Sequence, residues 1–171
     1  MKKSTILLLV VVYVISFFLI GLLGNAIRNY NPIIDPESIE IVDIDNKMTK
    51  YTDRVVTEEV DGVEVKTLYN YWFVFKGYKH NDTVRLKANV KPDNCSYPDV
   101  LFYKDTTNQT FTITTNNEDG NIEKGQALIS LREEDEPNSE HSIKAVKFNV
   151  ASTNPGIQID LVIGITFTIY S

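Results

Sequence analysis

The run TILLLVVVYVISFFLIGLLGNA, residues 5–26, constrains this chain more than any other stretch. From Thr5 to Gly24 it holds no charged residue, and its only polar side chains are those of Thr5, Tyr13 and Ser16. Twenty residues of α-helix rise about 30 Å, the thickness of a bilayer's hydrocarbon core. A globular helix keeps one polar face, and this run has none. The apolar stretch of a cleavable secretory peptide is usually about 7–15 residues long, so the length favours an anchor that is retained. The anchor runs from Thr5 to Gly24, with Tyr13 near mid-bilayer. The counter-signal is the small pair Gly24 and Ala26, which offers a cleavage site after Ala26 and makes a secreted form the alternative. No cysteine follows the run, which excludes a lipoprotein anchor.

Charge orients the run. Lys2 and Lys3 precede it, while Arg28 is followed by Asp35, Glu37 and Glu40. The positive-inside bias therefore places residues 1–4 in the cytoplasm, residues 5–24 across the membrane as a signal-anchor, and the remainder outside the cell. Pro32 and Pro36 favour extended backbone, so residues 25–37 read as a tether spanning at most about 40 Å. Beyond Ala26 the chain carries 15 basic and 23 acidic residues. That balance argues against nucleic acid as a partner and against docking on anionic lipid through a basic patch. One cysteine, Cys95, permits no internal disulfide. With no histidine near it in sequence, it reads as a bystander.

Residues 38–171 alternate with period two. In VRLKANV, Val84, Leu86, Ala88 and Val90 share one face, and Arg85, Lys87 and Asn89 the other. The stretch IQIDLVIGITFTIY alternates from Ile157 to Tyr170 and is long for one strand; Gly164 reads as a bulge, and the strand as one that turns a corner or serves two sheets. Asp61-Gly62 fits a two-residue hairpin turn, and Asp119-Gly120 a similar turn inside a longer polar loop. Further strands are expected near residues 39–44, 100–104 and 142–150. Eight or nine strands at this spacing indicate an all-β, immunoglobulin-like sandwich over 38–171, although the Cys…Trp…Cys framework of antibody domains is missing.

The densest aromatic composition is YNYWFVFKGY. Alternation groups Tyr69, Tyr71, Phe73 and Phe75 on one face, against Asn70, Trp72, Val74 and Lys76. Tyr69, Tyr71, Trp72 and Tyr78 are the candidate contacts for a carbohydrate or small ligand. The competing reading is a central strand packed on both faces, and the exposure of Trp72 decides between them. The acidic loops around Asp43 and Asp45, residues 116–121 and residues 133–140 offer oxygen ligands, but none has the spacing of an EF-hand loop. They read as solvated hairpin loops. His80 and His141 lack zinc-site spacing, and His80-Asn81-Asp82 reads as an exposed turn. No nucleophile-elbow, phosphate-loop or dinucleotide motif occurs. Sequons at Asn81, Asn94 and Asn108 carry no information in a chain this rich in Asn, Ser and Thr.

No catalytic, metal or cofactor residue is therefore expected. The function expected is a non-catalytic binding or assembly module, anchored in the bilayer by its helix and meeting a protein partner in or at the membrane. A carbohydrate- or small-ligand-binding sandwich is the alternative, and a hydrolase built on scattered carboxylates a second one.

Overall fold

Unbroken Leu, Ile, Val and Phe without proline make the amino-terminal run helical throughout. In the computed structural model, which describes residues 3–30, 32–104 and 110–169, helix α1 spans Lys3–Tyr30. It is long and apolar enough to cross a membrane or to act as a signal sequence, with a mean hydropathy of 3.1 and no part buried within the chain. The Ser16 hydroxyl donates to the Val12 carbonyl (2.8 Å), and the Tyr13 ring meets Phe17 one turn on. The polar atom at the centre of the helix is thus satisfied locally.

Thr5, Tyr13, Gly24 and Ala26 all lie on α1. Residues 25–30, expected in the extended tether, are helical instead. A proline restricts the residue just before it rather than the whole preceding turn, so Pro32 allows the helix to continue to Tyr30. Only the short stretch from Pro32 to the first strand is without regular secondary structure between the helix and the sheets.

The chain divides into two units, Met1–Ile33 and Ile34–Ser171. The second is built from nine strands: β1 (Ser38–Asp43), β2 (Met48–Val60), β3 (Val63–Phe75), β4 (Val84–Lys91), β5 (Val100–Tyr103), β6 (Phe111–Thr115), β7 (Gln126–Leu131), β8 (Ile143–Ser152) and β9 (Asp160–Thr168). They form two sheets, in the orders β1-β4-β7-β6 and β2-β3-β9-β8-β5. Every pairing is antiparallel except β3 with β9.

The core lies between the sheets. Ile39, Ile41, Val84, Leu86, Phe111 and Ile129 from the first sheet meet Phe73, Phe75, Phe148, Val150, Ile163, Ile165 and Phe167 from the second. The alternation expected for β4 is observed, with Val84, Leu86, Ala88 and Val90 all buried. Fully burying side chains of this size contributes about 1.5–3 kcal/mol each, which holds the two sheets together without a disulfide.

Three local expectations are corrected. The final strand covers Asp160–Thr168 only and belongs to one sheet; Tyr170 lies outside the described residues. Gly164 is no bulge, because its neighbours Ile163 and Ile165 keep regular pairing with both Phe148 and Val146 and with Tyr71 and Phe73. Its missing side chain serves a close approach: a Cβ there would fall 2.6 Å from Trp72 Cζ3 and closer still to Cε3. Finally, Asp119-Gly120 does open a turn inside the β6–β7 loop, closed by the Ile122 amide on the Asp119 carbonyl (3.0 Å), but without the positive φ angles of a two-residue hairpin turn. The left-handed residue there is Gly125 (φ +75°), where a Cβ would press on the Ala88 carbonyl at 3.2 Å. Asp61-Gly62 does form the expected two-residue turn, with φ of 52° and 79°.

Candidate functional site

The Asp61-Gly62 turn sets the β2–β3 register, which places Arg54 opposite Tyr69 and Tyr51 opposite Trp72. At Asp53 the backbone enters the left-handed region (φ 51°), and no pairing connects it to Asn70. The Asn70 side chain turns sideways instead, and its Oδ1 accepts from the Val162 N–H at 2.8 Å. Alternation therefore loses its phase at Asn70. Tyr69, expected beside Tyr71 and Phe73, packs its ring edge-on against Trp72 (4.8 Å, 85°) and stands apart from the intersheet core.

The resulting cluster rests on the outer face of the five-stranded sheet. Trp72 covers Gly164, and Arg54 lies over the indole with its guanidinium 4.6 Å from the ring centroid. Lys147 stands 5.8 Å over Tyr69, whose hydroxyl donates to Glu58 at 3.4 Å. Trp72 is only 7% exposed, and its Nε1 is buried with no hydrogen-bond partner among the described residues. A stacked guanidinium over a desolvated indole contributes up to about 2 kcal/mol, so the cluster helps to hold the hairpin to the sheet.

The four candidate ligand contacts do not form one surface. Tyr69 and Trp72 share the cluster just described. Tyr71 is half-buried toward β1, donating to the Ile39 carbonyl at 3.3 Å with Lys50 over its ring. Tyr78 is buried at the far end of the sandwich, edge-on to Phe75 and Phe167. A shallow cleft of about 260 Å³ lies elsewhere, between β5 and the β6–β7 loop, lined by Leu101, Phe102, Asn116 and Lys124 among others and by none of these rings. Burial of Trp72 favours packing over a sugar platform. Arg54 and Lys147, which complete the cluster, were not singled out by sequence; the Asp61-Gly62 register is the signal that pairs Arg54 with the aromatic strand.

Burial is the main cause that raises the ionisation of all three phenols, Tyr69, Tyr71 and Tyr78, most of all the first and last. Tyr69 is pushed up to about 12 by burial and then by the charge of Glu58; Tyr78 is pushed up to about 12 by burial and then by Glu136. Their unfolded-state value is about 10. The folded state thus holds protons that the unfolded state releases, and the stabilisation is complete below pH 10 and lost as pH rises toward 12. Spectrophotometric titration should show two phenols ionising only with an alkaline unfolding transition in that window. Tyr69→Phe should remove one of them.

The acidic segments are occupied with closing turns. Asp43 accepts from the Asp45 and Met48 amides, and Asp45 takes the Arg85 fork at 2.5 Å, which holds its carboxyl below the usual range. Glu118 accepts from the Thr115 amide, and Asp119 from Asn121. Asp135 pairs with Lys144, and Glu136 with His80 (2.8 Å), a hydrogen bond that raises the His80 pKa. His80-Asn81-Asp82 forms the exposed turn expected, with the Lys79 amide bound to Asp82. Among the described residues no three His, Cys, Asp or Glu side chains converge as a metal set.

Comparison with known proteins returned no matching family model, no matching curated protein and no matching solved structure.

Proposed function

We propose that this chain is a non-catalytic binding or assembly module: a single-pass anchor followed by an immunoglobulin-like sandwich outside the cell, acting by protein–protein contact near the membrane. The observation that carries it is the pairing of an apolar helix that nothing in the chain buries with a β-domain in which Tyr69, Trp72 and Tyr78 are spent on packing. A retained helix is supported by its length and by its continuation through Ala26 to Tyr30. Export is supported by the basic residues before the apolar run and the acidic domain after it.

The strand order supports the immunoglobulin-like reading. The orders β1-β4-β7-β6 and β5-β8-β9 follow the A-B-E-D and C-F-G orders of that architecture. The β2–β3 hairpin is then an insertion after the first strand, laid parallel against the last.

Two measurements test the proposal. Protease added to intact cells should digest the domain, and in untreated cells the chain should stay in the membrane fraction at its full mass. Affinity capture of the full chain from solubilised membranes, at native abundance, should return a partner or a second copy; recovery of a lone monomer would count decisively against an assembly role.

A further inference from the structure

The hairpin insertion is longer than the sheet that carries it. β3 pairs with β9 only across Tyr71–Phe75, whereas β2 and β3 pair with each other as far as Val60 and Val63. Residues 54–68 therefore form a ribbon of two strands with β2 as its outer edge. Val55, Val63, Val65 and Leu68 on this ribbon are 40–62% exposed. An isolated two-stranded ribbon is marginal in water, and an unpaired edge is a template for another strand. The left-handed Asp53 interrupts the edge, which leaves residues 54–60 as its free part.

We propose that residues 54–58 of β2 pair antiparallel with the same residues of a second copy of this chain, about a two-fold axis at Val56. This rests on the assembly reading and names its partner. In such a pair each residue faces its mirror position about the axis, so the order of charge along the strand decides the register. Arg54 and Glu58 stand two residues either side of Val56. Centred there, Arg54 faces the Glu58 of the second copy twice over, and Val56 faces itself. Centring on Val55 sets Arg54 against Val56 and loses both ion pairs. Centring on Thr57 sets Glu58 against Val56, and centring on Glu58 opposes two carboxylates.

Both charges are already held on the outer face, Arg54 by the Trp72 ring and Glu58 by the Tyr69 hydroxyl. Little side-chain freedom is left to lose when the copies meet. Five residues a side bury less than the roughly 1,200–2,000 Å² of a stable soluble complex, so the pair is weak in solution and forms where anchoring concentrates the chain. A two-fold axis sets both Ile34 positions at equal height along it, the condition for two anchored copies to share one membrane.

The test uses the full chain in membranes under mild oxidation. Directly opposed Cα atoms lie about 4.5–5.5 Å apart, within disulfide reach. Val56→Cys should therefore cross-link to a covalent dimer. Thr57→Cys should not, because the two copies of position 57 are more than about 7 Å apart and on the other face. The unsubstituted chain, whose Cys95 is buried, gives the background. Glu58→Arg should lower the Val56→Cys dimer yield by about tenfold or more through like-charge opposition, and the exchange Arg54→Glu with Glu58→Arg should restore it. An unchanged far-ultraviolet circular dichroism spectrum and a cooperative thermal unfolding transition establish that each variant is folded.

Equal cross-linking at both positions, or failure of the exchange to rescue, overturns the register and with it the proposal. No dimer from Val56→Cys, with a different protein captured by the full chain, overturns self-pairing and leaves the assembly reading standing. No dimer and no captured protein removes both.

Discussion

Gly164→Ala is expected to destabilise the domain by about 3 kcal/mol, at the upper end of the range for overpacking a filled site. Cost depends on what must move. The added methyl would overlap the six-membered ring of Trp72 at Cε3 and Cζ3, and that ring is neither terminal nor flexible. It is pinned between Gly164 below, Arg54 above and Tyr69 at its edge. Nor can the glycine retreat, because its neighbours pair with β3 on one side and β8 on the other. For a domain of this size the melting midpoint should fall by about 10 °C. The double variant with Trp72→Ala identifies the cause. If the clash is responsible, Gly164→Ala adds almost nothing once the indole is gone. Full additivity would show that the glycine acts through its backbone instead.

Asn154→Ala is expected to cost about 2–3 kcal/mol, although no apolar packing is lost. The side chain is only 7% exposed and serves three partners. Its Nδ2 donates to Asp35 at 2.9 Å, while its Oδ1 accepts from the Gly156 amide at 2.6 Å and the Ile157 amide at 3.1 Å. Removing it strands two backbone donors in the β8–β9 connection and frees the segment that leads into β1. Chemical denaturation should report the loss, and amide exchange should show where it falls. Faster exchange at Ser96, whose amide donates to the Ile34 carbonyl, should accompany it. Asn154→Asp keeps the acceptor but faces Asp35 with a second carboxylate, so it should recover part of the stability at low pH only.

Several features were legible because they depend on neighbours in the chain. The seven residues VRLKANV alternate cleanly, and β4 buries the four that alternation selects. Asp61-Gly62 supplies two positive φ angles, and a two-residue turn fixes every pair above it, including Arg54 with Tyr69. The misreadings share a different cause. Gly164 looks like a bend until the strand beside it is known to carry Trp72. Tyr69 looks like a core residue until Asn70 is seen to bond Val162, ninety-two positions away. Residues 25–30 look like tether because two prolines follow, yet the restriction reaches back one residue only. The acidic loops read as solvated hairpin loops rather than ligand sites, and their carboxylates close turns and pair with Arg85, Lys144 and His80. The shared cause is reach: for Gly164 and Tyr69 the deciding contact is made at long range, where period and composition carry no information, and for residues 25–30 a proline restricts a shorter stretch than its presence suggests.

The parallel seam between β3 and β9 has a consequence for how the domain comes into being. Tyr71–Phe75 cannot complete their sheet until Ile163–Phe167 have arrived, and these come from the far end of the folding unit. Closing so long a loop carries an entropic penalty that is repaid only when the whole sheet forms, which makes such topologies slow to fold. A chain threaded through a membrane from its amino terminus would present the β2–β3 hairpin first, and hold it with one flank open until translocation ends. The flank that waits is that of β3; the β2 edge proposed to recruit a second copy depends on no later strand, so in a chain exported in this order it is available before the sheet is complete.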